Sequence, residues 1–376
     1  MARSPAGSVT LRQTGILPDQ DIAALFESGA LTAPRALDAD QIQPASLDLR
    51  LGEKALRVRA SFLPGPGHSV SEKLDRLQLH EIDLTAGAVL ETGCVYIVPL
   101  LEGLALPAEI SASANPKSST GRLDIFTRVM TDHGAEFDKI AAGYHGPLYL
   151  EVSPRTFPIV ARTGSRLSQI RFRTGNALLT EEELHALHRG ETLVATDPPD
   201  ISGGGIALSI DLEGDASGLI GYRAKHHTGL IDVDRRAAHD ALDFWEPLYN
   251  RGAAELVLDP DEFYILVSRE AVHVPPLHAA EMTPFDPLVG EFRVHYAGFF
   301  DPGFGHSAAG GTGSRAVLEV RSHEVPFILD HGQTVGRLVY EHMRKRPRAL
   351  YGADLGSNYQ AQGLKLSKHF RSPTQR

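Results

Sequence analysis

From residue 89 to residue 172 the apolar positions come in short runs punctuated by Gly and Pro, which predicts strands over 94–98, 123–126, 147–152 and 167–172. The same texture returns from 255 to 340, with strands expected over 316–320 and 335–340. Earlier, Leu47, Leu49 and Leu51 alternate with Asp48 and Arg50, the pattern of a half-buried strand, and 206–212 echoes it. Helical spacing is expected in two places. Ile22, Leu25 and Phe26 follow Asp19, read as an N-cap, and Gly29 closes that helix. Thr180 and Glu183 form a capping box that opens a helix over 180–188. A chain of many short strands at regular spacing points to barrels or sandwiches.

The two β-rich stretches are copies of one another. Val89-Leu90-Glu91 falls on Val257-Leu258-Asp259, Tyr96-Ile97 on Tyr264-Ile265, Pro107 on Pro275, Glu151 on Glu319, Pro158 on Pro326 and Gly164 on Gly332, always at an offset of 168 residues. Solenoid repeats have periods of roughly 20–50 residues, so this offset marks a duplicated domain. The early strand repeats with a shorter offset of 163, Asp48 falling on Asp211. Asp197-Pro198-Pro199-Asp200 and Gly203-Gly204-Gly205 mark the joint, which places the first domain at 1–195 and the second at 196–376. Trp245, with Phe244 and Tyr249, sits in an insertion ahead of the second core and is expected to pack rather than to stack on a ligand.

Composition narrows the chemistry. A chain of 376 residues with 42% hydrophobic and 22% charged content suits two soluble domains, and no run approaches the ~18 apolar residues of a membrane span. Residues 1–13 lack a signal-like apolar core, so a cytoplasmic protein is expected. The single cysteine, Cys94, excludes a disulfide framework and a Cys-pair zinc site, and the 17 histidines show no metal spacing, His226-His227 being expected at the surface. A net charge of −10 argues against wholesale binding of a nucleic-acid polymer, so an anionic ligand must meet a local basic cluster. Arg344, Lys345, Arg346, Arg348, Lys365, Lys368 and Arg371 supply one near the C-terminus.

The candidate chemistry centres on Lys117-Ser118-Ser119-Thr120-Gly121-Arg122, which places hydroxyl donors and fixed positive charge within one turn-sized segment, as a polyphosphate requires. Glu151 and Glu319 each interrupt an apolar strand. Facing inward, such a carboxyl would be desolvated, hold its proton more tightly and suit proton transfer; facing outward it would be an ordinary surface glutamate.

Several motifs in order resemble the deoxycytidine triphosphate deaminase branch of the trimeric deoxyuridine triphosphatase family, over nearly the whole chain and once per copy. The N-terminal helix running into 43–52 resembles the start of those deaminases, and 117–122 their Arg-Ser-Ser-x-x-Arg phosphate motif with Lys117 in the first place. Residues 297–304 resemble the base-recognition turn, Leu318-Glu319 the strand with the catalytic glutamate, and 358–363 with Ser367-Lys368 the tail that covers the nucleotide. The resemblance implies two tandem dUTPase-like distorted β-barrels of the β-clip type with short peripheral helices. It implies Glu319, Ser118 and Arg122 as catalytic, with Glu151 the other candidate glutamate. Lys117, Ser119, Ala297, Asp301, Gln169, Tyr359, Gln362, Lys365 and Lys368 are implied to bind nucleotide.

The first copy keeps Asp132 and Gly134 but lacks the Asp-Pro-Gly of 301–303, and the second has 284–290 in place of the phosphate motif. Each copy thus lacks what the other keeps, and one composite site is expected, with Ser118, Ser119 and Arg122 from copy one and Ala297, Asp301 and Glu319 from copy two. The implied reaction is hydrolytic deamination of dCTP to dUTP, with magnesium carried by the triphosphate and no zinc, since the His-x-Glu and Pro-Cys-x-x-Cys signature of zinc deaminases is absent. A homo-oligomer with threefold or pseudo-threefold symmetry and inhibition by dTTP go with the resemblance. A dUTP pyrophosphatase, an enzyme doing both steps, and a non-catalytic nucleotide-binding regulator remain open alternatives at this point.

Overall fold

Glu151 and Glu319 occupy the same register in two equivalent strand pairs. In the first half His145–Pro154 runs antiparallel to Val95–Ala105 with Glu151 opposite Ile97; in the second Ser314–Ser322 runs antiparallel to Phe263–Val272 with Glu319 opposite Ile265. Ile110–Pro116 and Arg166–Thr174 recur in the same way as His278–Pro284 and Thr334–His342, pairing antiparallel in both halves. Even a side-chain anchor repeats: the Tyr96 hydroxyl accepts from Glu91 N at 3.0 Å, and the Tyr264 hydroxyl from Asp259 N at 3.0 Å. This is a computed structural model that describes residues 13–196, 198–284, 292–295 by backbone alone, 298–322, 324–352 and 363–371.

Each half is built on two larger, mainly antiparallel sheets, with smaller ones beside them. The first half has a sheet that includes Leu47–Arg50, Arg166–Thr174 and Ile110–Pro116, and a second that includes Lys54–Val58, Val95–Ala105, His145–Pro154 and Ile125–Thr131. The second half follows with one sheet around Thr334–His342 and another around Phe263–Val272. The helices are short: Asp19–Glu27, Val70–Leu77, Ser118–Gly121, Glu181–Gly190 and Ala241–Phe244. Among the described residues no helix is long and apolar enough to cross a membrane.

The halves share apolar surface. The first core continues into Ile231, Phe244, Trp245 and Phe263 of the second half. Ile231–Asp232 pairs in parallel with Ile159–Ala161, extending a sheet of the first half with a strand of the second. Trp245 is fully buried and packs edge-on against Phe157, with centroids 5.5 Å apart, which makes it a packing residue between the halves.

Three local expectations change. The first helix begins at Asp19 with Pro18 as its N-cap; Pro18 has an extended backbone and cannot cap through a side chain, so Asp19 serves as the first helical residue, its Oδ1 accepting from Gln20 N at 2.8 Å. The echo expected over 206–212 is a strand only at Gly205–Ser209. The strand Leu47–Arg50 is buried on both faces, with Asp48 2% and Arg50 0% exposed. Its charges face partners: Arg50 Nε donates to Glu102 Oε1 at 2.7 Å, Arg50 N to Glu102 Oε2 at 2.8 Å, and Lys117 Nζ to Asp48 Oδ2. Buried charge persists where it is paired, and these pairings take the place of water.

Candidate active site

The strand Ile110–Pro116 ends on a proline and passes through Lys117 into one helical turn, Ser118–Gly121, whose Thr120 N and Gly121 N donate to Lys117 O at 2.8 and 3.0 Å. Lys117 N donates to Leu167 O at 3.0 Å, tying the turn to the neighbouring strand. The exit needs a left-handed residue, supplied by Asp124 at φ 54°. An aspartate tolerates that conformation better than most side chains, and its carboxylate is held by Thr156 Oγ1 at 2.6 Å and by Arg321.

This turn faces the second half across a cavity of about 470 Å³, a size suited to a nucleotide. Lys117, Ser118, Ser119, Arg122 and Gln169 line it from the first half, and Asp301, Glu319 and Lys368 from the second. Both contributions come from one chain. Lys365 stands just behind, its carbonyl accepting from Arg122 Nη1 at 3.0 Å. Glu151 lies away from this cavity and is bound by Arg128. Ala297, Tyr359 and Gln362 fall outside the described residues.

Glu319 is 4% exposed and sits in the middle of its strand. Burial pushes its carboxyl up to about 8, although Arg122 and a backbone hydrogen bond pull the other way. The Arg122 Nε to Glu319 Oε1 distance is 3.7 Å, a charge contact longer than a hydrogen bond. Such a carboxyl exchanges protons near neutrality in a largely dry wall. Asp301 is also raised by burial, opposed by Arg171. Lys368 is lowered to about 8, first by burial and then by the charges of Lys117 and Arg236. Lys365 is lowered by burial and by Arg122.

The C-terminal segment is pinned over the phosphate turn. Ser367 Oγ donates to Ser119 O at 2.8 Å, Ala237 N to Lys368 O at 3.0 Å, and Phe370–Arg371 pairs in parallel with His239–Asp240. Lys368 is thereby delivered to the cavity from a short segment anchored on both sides.

Several cavity residues escape a reading of the sequence. Asp48 lies within a strand recognised as one and Arg166 just ahead of another, and alternation gives no hint that those positions are covered. Arg236 reaches the wall from the insertion before the second core and carries no motif. Phe299, Phe300 and Phe304 line the cavity within the turn recognised for Asp301, and only that resemblance could have flagged them.

Comparison with known proteins identifies the family of the chain. The family described as 2'-deoxycytidine 5'-triphosphate deaminase (DCD) N-terminal domain matches residues 13–176, and that described as the 2'-deoxycytidine 5'-triphosphate deaminase (DCD), C-terminal domain, matches residues 180–370. A dCTP deaminase of Haloarcula marismortui is 33% identical over 160 residues, a match that covers 42% of this chain and 79% of the relative, about the span of one copy. The crystal structure of 2'-deoxycytidine 5'-triphosphate deaminase from Agrobacterium tumefaciens is 74% identical, covers 92% of this chain and 100% of its own, and superposes with a TM-score of 0.88.

Proposed function

The chain belongs to the 2'-deoxycytidine 5'-triphosphate deaminase family, and from that premise we propose that the cavity between its halves is the one active site in which it acts. The chain is an enzyme that deaminates dCTP to dUTP, and the family relation does not favour dUTP hydrolysis or silent binding. The observation that carries the reading is Glu319, a buried carboxyl raised to about 8 in the wall opposite the phosphate turn.

In this reading Lys117, Ser119 and Lys368 take the triphosphate, with Gln169, Ala297, Asp301, Tyr359, Gln362 and Lys365 completing the nucleotide contacts. Water adds to the ring's fourth carbon. Ionised Glu319 takes the proton that water gives up and passes it to the ring's N3, then takes the proton of the new hydroxyl and passes it to the departing amine, so that ammonia leaves as the carbonyl forms. Ser118 and Arg122 hold the water and the developing charge as fixed donors in a site with little solvent. Arg122 lies close enough to stabilise the carboxylate without a tight ion pair that would lock it ionised and weaken it as a base.

The donor set suits magnesium carried on the triphosphate, where it would neutralise phosphate charge. The cavity's acids Asp48 and Asp301 already have the cationic partners Lys117 and Arg171. Glu319 replaces zinc as the activator of water in this proposal. The reading extends to a cytoplasmic homo-oligomer, to dTTP as an inhibitor, and to the division into domains 1–195 and 196–376.

The test is to strip the purified enzyme with a chelator, supply dCTP and magnesium, and follow ammonia and nucleotides together. Equal amounts of ammonia and dUTP, without dUMP, are expected. Activity that returns with zinc and not with magnesium would overturn the proposed chemistry, and dUMP formed alongside ammonia would add a second step to the site.

A further inference from the structure

Asp301 and the residues on either side of it form the cavity wall opposite the phosphate turn, and that wall is held from two directions. On its outer side the backbone suffices: Gly303 N donates to Val274 O at 2.9 Å and Tyr351 N to Pro302 O at 2.8 Å. Gly303 has φ +100°, and a Cβ there would meet Tyr351 O at 2.9 Å, so the position needs glycine. On its inner side, among the described residues, the wall is reached from the first half by Arg171.

Arg171 is fully buried. Its Nη2 points at Asp301 Oδ1 at 3.3 Å and Phe300 O at 3.4 Å, while Nη1 donates to Ala280 O and Glu341 Oε2, each at 3.1 Å. Its guanidinium carbon lies 4.0 Å from the centre of the Phe299 ring. All five partners belong to the second half, and three of them, Phe299, Phe300 and Asp301, line the cavity. A planar fork with several donors can hold a ring, a carbonyl and a carboxylate at once, which an ammonium cannot. The residue at the repeat-equivalent place is Val339, so the contact is no remnant of the duplicated fold.

We propose that Arg171 is a positioning residue of the deaminase, contributed by the first copy, that aims the Phe299-to-Asp301 wall of the second copy at the substrate. It touches neither water nor the reacting carbon, and its effect passes through that wall. The proposal rests on the reading that the cavity takes dCTP.

Arg173 is the internal control. Its Nη1 pairs with Glu341 Oε1 at 3.1 Å, on the same glutamate, and it neither lines the cavity nor contacts the wall. Steady-state kinetics with dCTP and thermal melts are to be compared for wild type, R171Q, R171K, R173K, D301N and R171K/D301N. R171Q is expected to lose roughly 100-fold in kcat/KM, a loss typical of a misplaced substrate, mostly through KM. R171K, which keeps the charge without the fork, should recover part of it. The pH dependence of kcat should stay in place. R173K should lower the melting temperature and leave KM alone. The losses of D301N and R171K should combine to less than their sum, because the two changes share the Arg171–Asp301 contact.

A folded R171Q with wild-type KM overturns the proposal, as does a loss in R173K equal to that in R171K. Fully additive losses in the double variant overturn it too. Should R171Q not fold, R171K decides: a raised KM supports positioning and an unchanged KM overturns it. Failure of the wild type to release ammonia from dCTP would instead sink the underlying reading, so the two failures are distinguishable.

Discussion

Glu151 and Glu319 sit at the same register of the same strand in two copies of one fold, and their surroundings differ in every respect that matters for chemistry. Arg128, from the adjacent strand of the same copy, closes on Glu151 Oε1 with Nη2 at 2.7 Å and Nε at 3.1 Å. That guanidinium also reaches Ser61 at 2.7 Å and stacks over Phe137. Glu319 has no such clamp from Arg122, which comes from the other copy and stays at 3.7 Å. Both carboxyls are almost fully buried, Glu151 being 1% and Glu319 4% exposed, so burial alone does not select the functional one. The paired carboxylate is a structural charge held within its own copy. The other faces a cavity, is raised to about 8, and is free to gain and lose a proton. An inward strand glutamate becomes a base only where the opposite wall is built to receive a substrate.

The largest test of this contrast is to neutralise each carboxyl in turn. E319Q should lose about 10²–10⁴-fold in kcat, the usual worth of a positioned proton-transfer group, with dCTP binding kept. E151Q should retain turnover within about threefold while losing about 1–3 kcal/mol of stability, since its amide still accepts from Arg128 without the charge. Ammonia release and urea unfolding measured on both variants decide the matter. Activity that survives in E319Q and disappears in E151Q would reverse the assignment.

Much of this was legible in the sequence because the duplication is ungapped from Val89 to Gly164 and its second image. The 168-residue offset located both glutamates, and the phosphate motif together with the Asp-Pro-Gly turn located the two halves of the cavity. The capping box of Thr180 and Glu183 is present as expected, with Glu183 N donating to Thr180 Oγ1 at 3.2 Å. What stayed hidden depends on contacts between distant residues. Asp48 and Arg50 read as the outer face of a strand, because alternation reports period and not what lies on each side. Their partners are Lys117 and Glu102, and no local rule joins those positions. Arg171 looked like any polar residue in an alternating strand, and its partners are more than 100 residues away. Asp19 was misplaced by a single position because proline took the cap, a shift within the usual uncertainty of helix ends.

The junction between the copies gives a second, smaller contrast. Arg321, two residues beyond Glu319 on the same strand, donates to the Asp124 carboxylate two residues beyond Arg122, and to Thr156 Oγ1 at 3.1 Å. The pair is buried, with side chains 8% and 2% exposed. The equivalent positions are Ser153 and Phe292, so no reciprocal pair of this kind can form with the roles of the copies exchanged. This ion pair fixes the strand of Glu319 against the turn of Arg122. R321M should cost about 3–5 kcal/mol, because Asp124 would be left buried without its cation, and D124N in the same chain should restore part of that. Urea midpoints for the single and double variants measure it. A double variant as unstable as the sum of its parts would show that the two side chains do not act as a pair.

The finest test is pH, since Glu319 and Lys368 both titrate near 8 and act in opposite directions. Glu319 must be ionised to accept a proton, so kcat/KM should fall about tenfold per unit as pH drops well below its value of about 8. Lys368 must be charged to hold phosphate and loses its proton above about 8, so the profile should turn down again on the alkaline side. K368R, whose charge persists at high pH, should remove the alkaline limb and leave the acid limb in place. Folding reports on the same carboxyl independently. Glu319 is raised from an ordinary value of 4.5, so between 4.5 and about 8 the folded chain binds more protons than the unfolded one, and its stability declines as pH rises through that window. E319Q removes this dependence: it should melt above the wild type at pH values beyond 8 and match it below 4.5. E151Q should be less stable than wild type, because it loses its ion pair with Arg128. If E319Q and E151Q shift the melting temperature in the same direction at high pH, the two carboxyls are not in different electrostatic situations, and the contrast between the copies fails at its base.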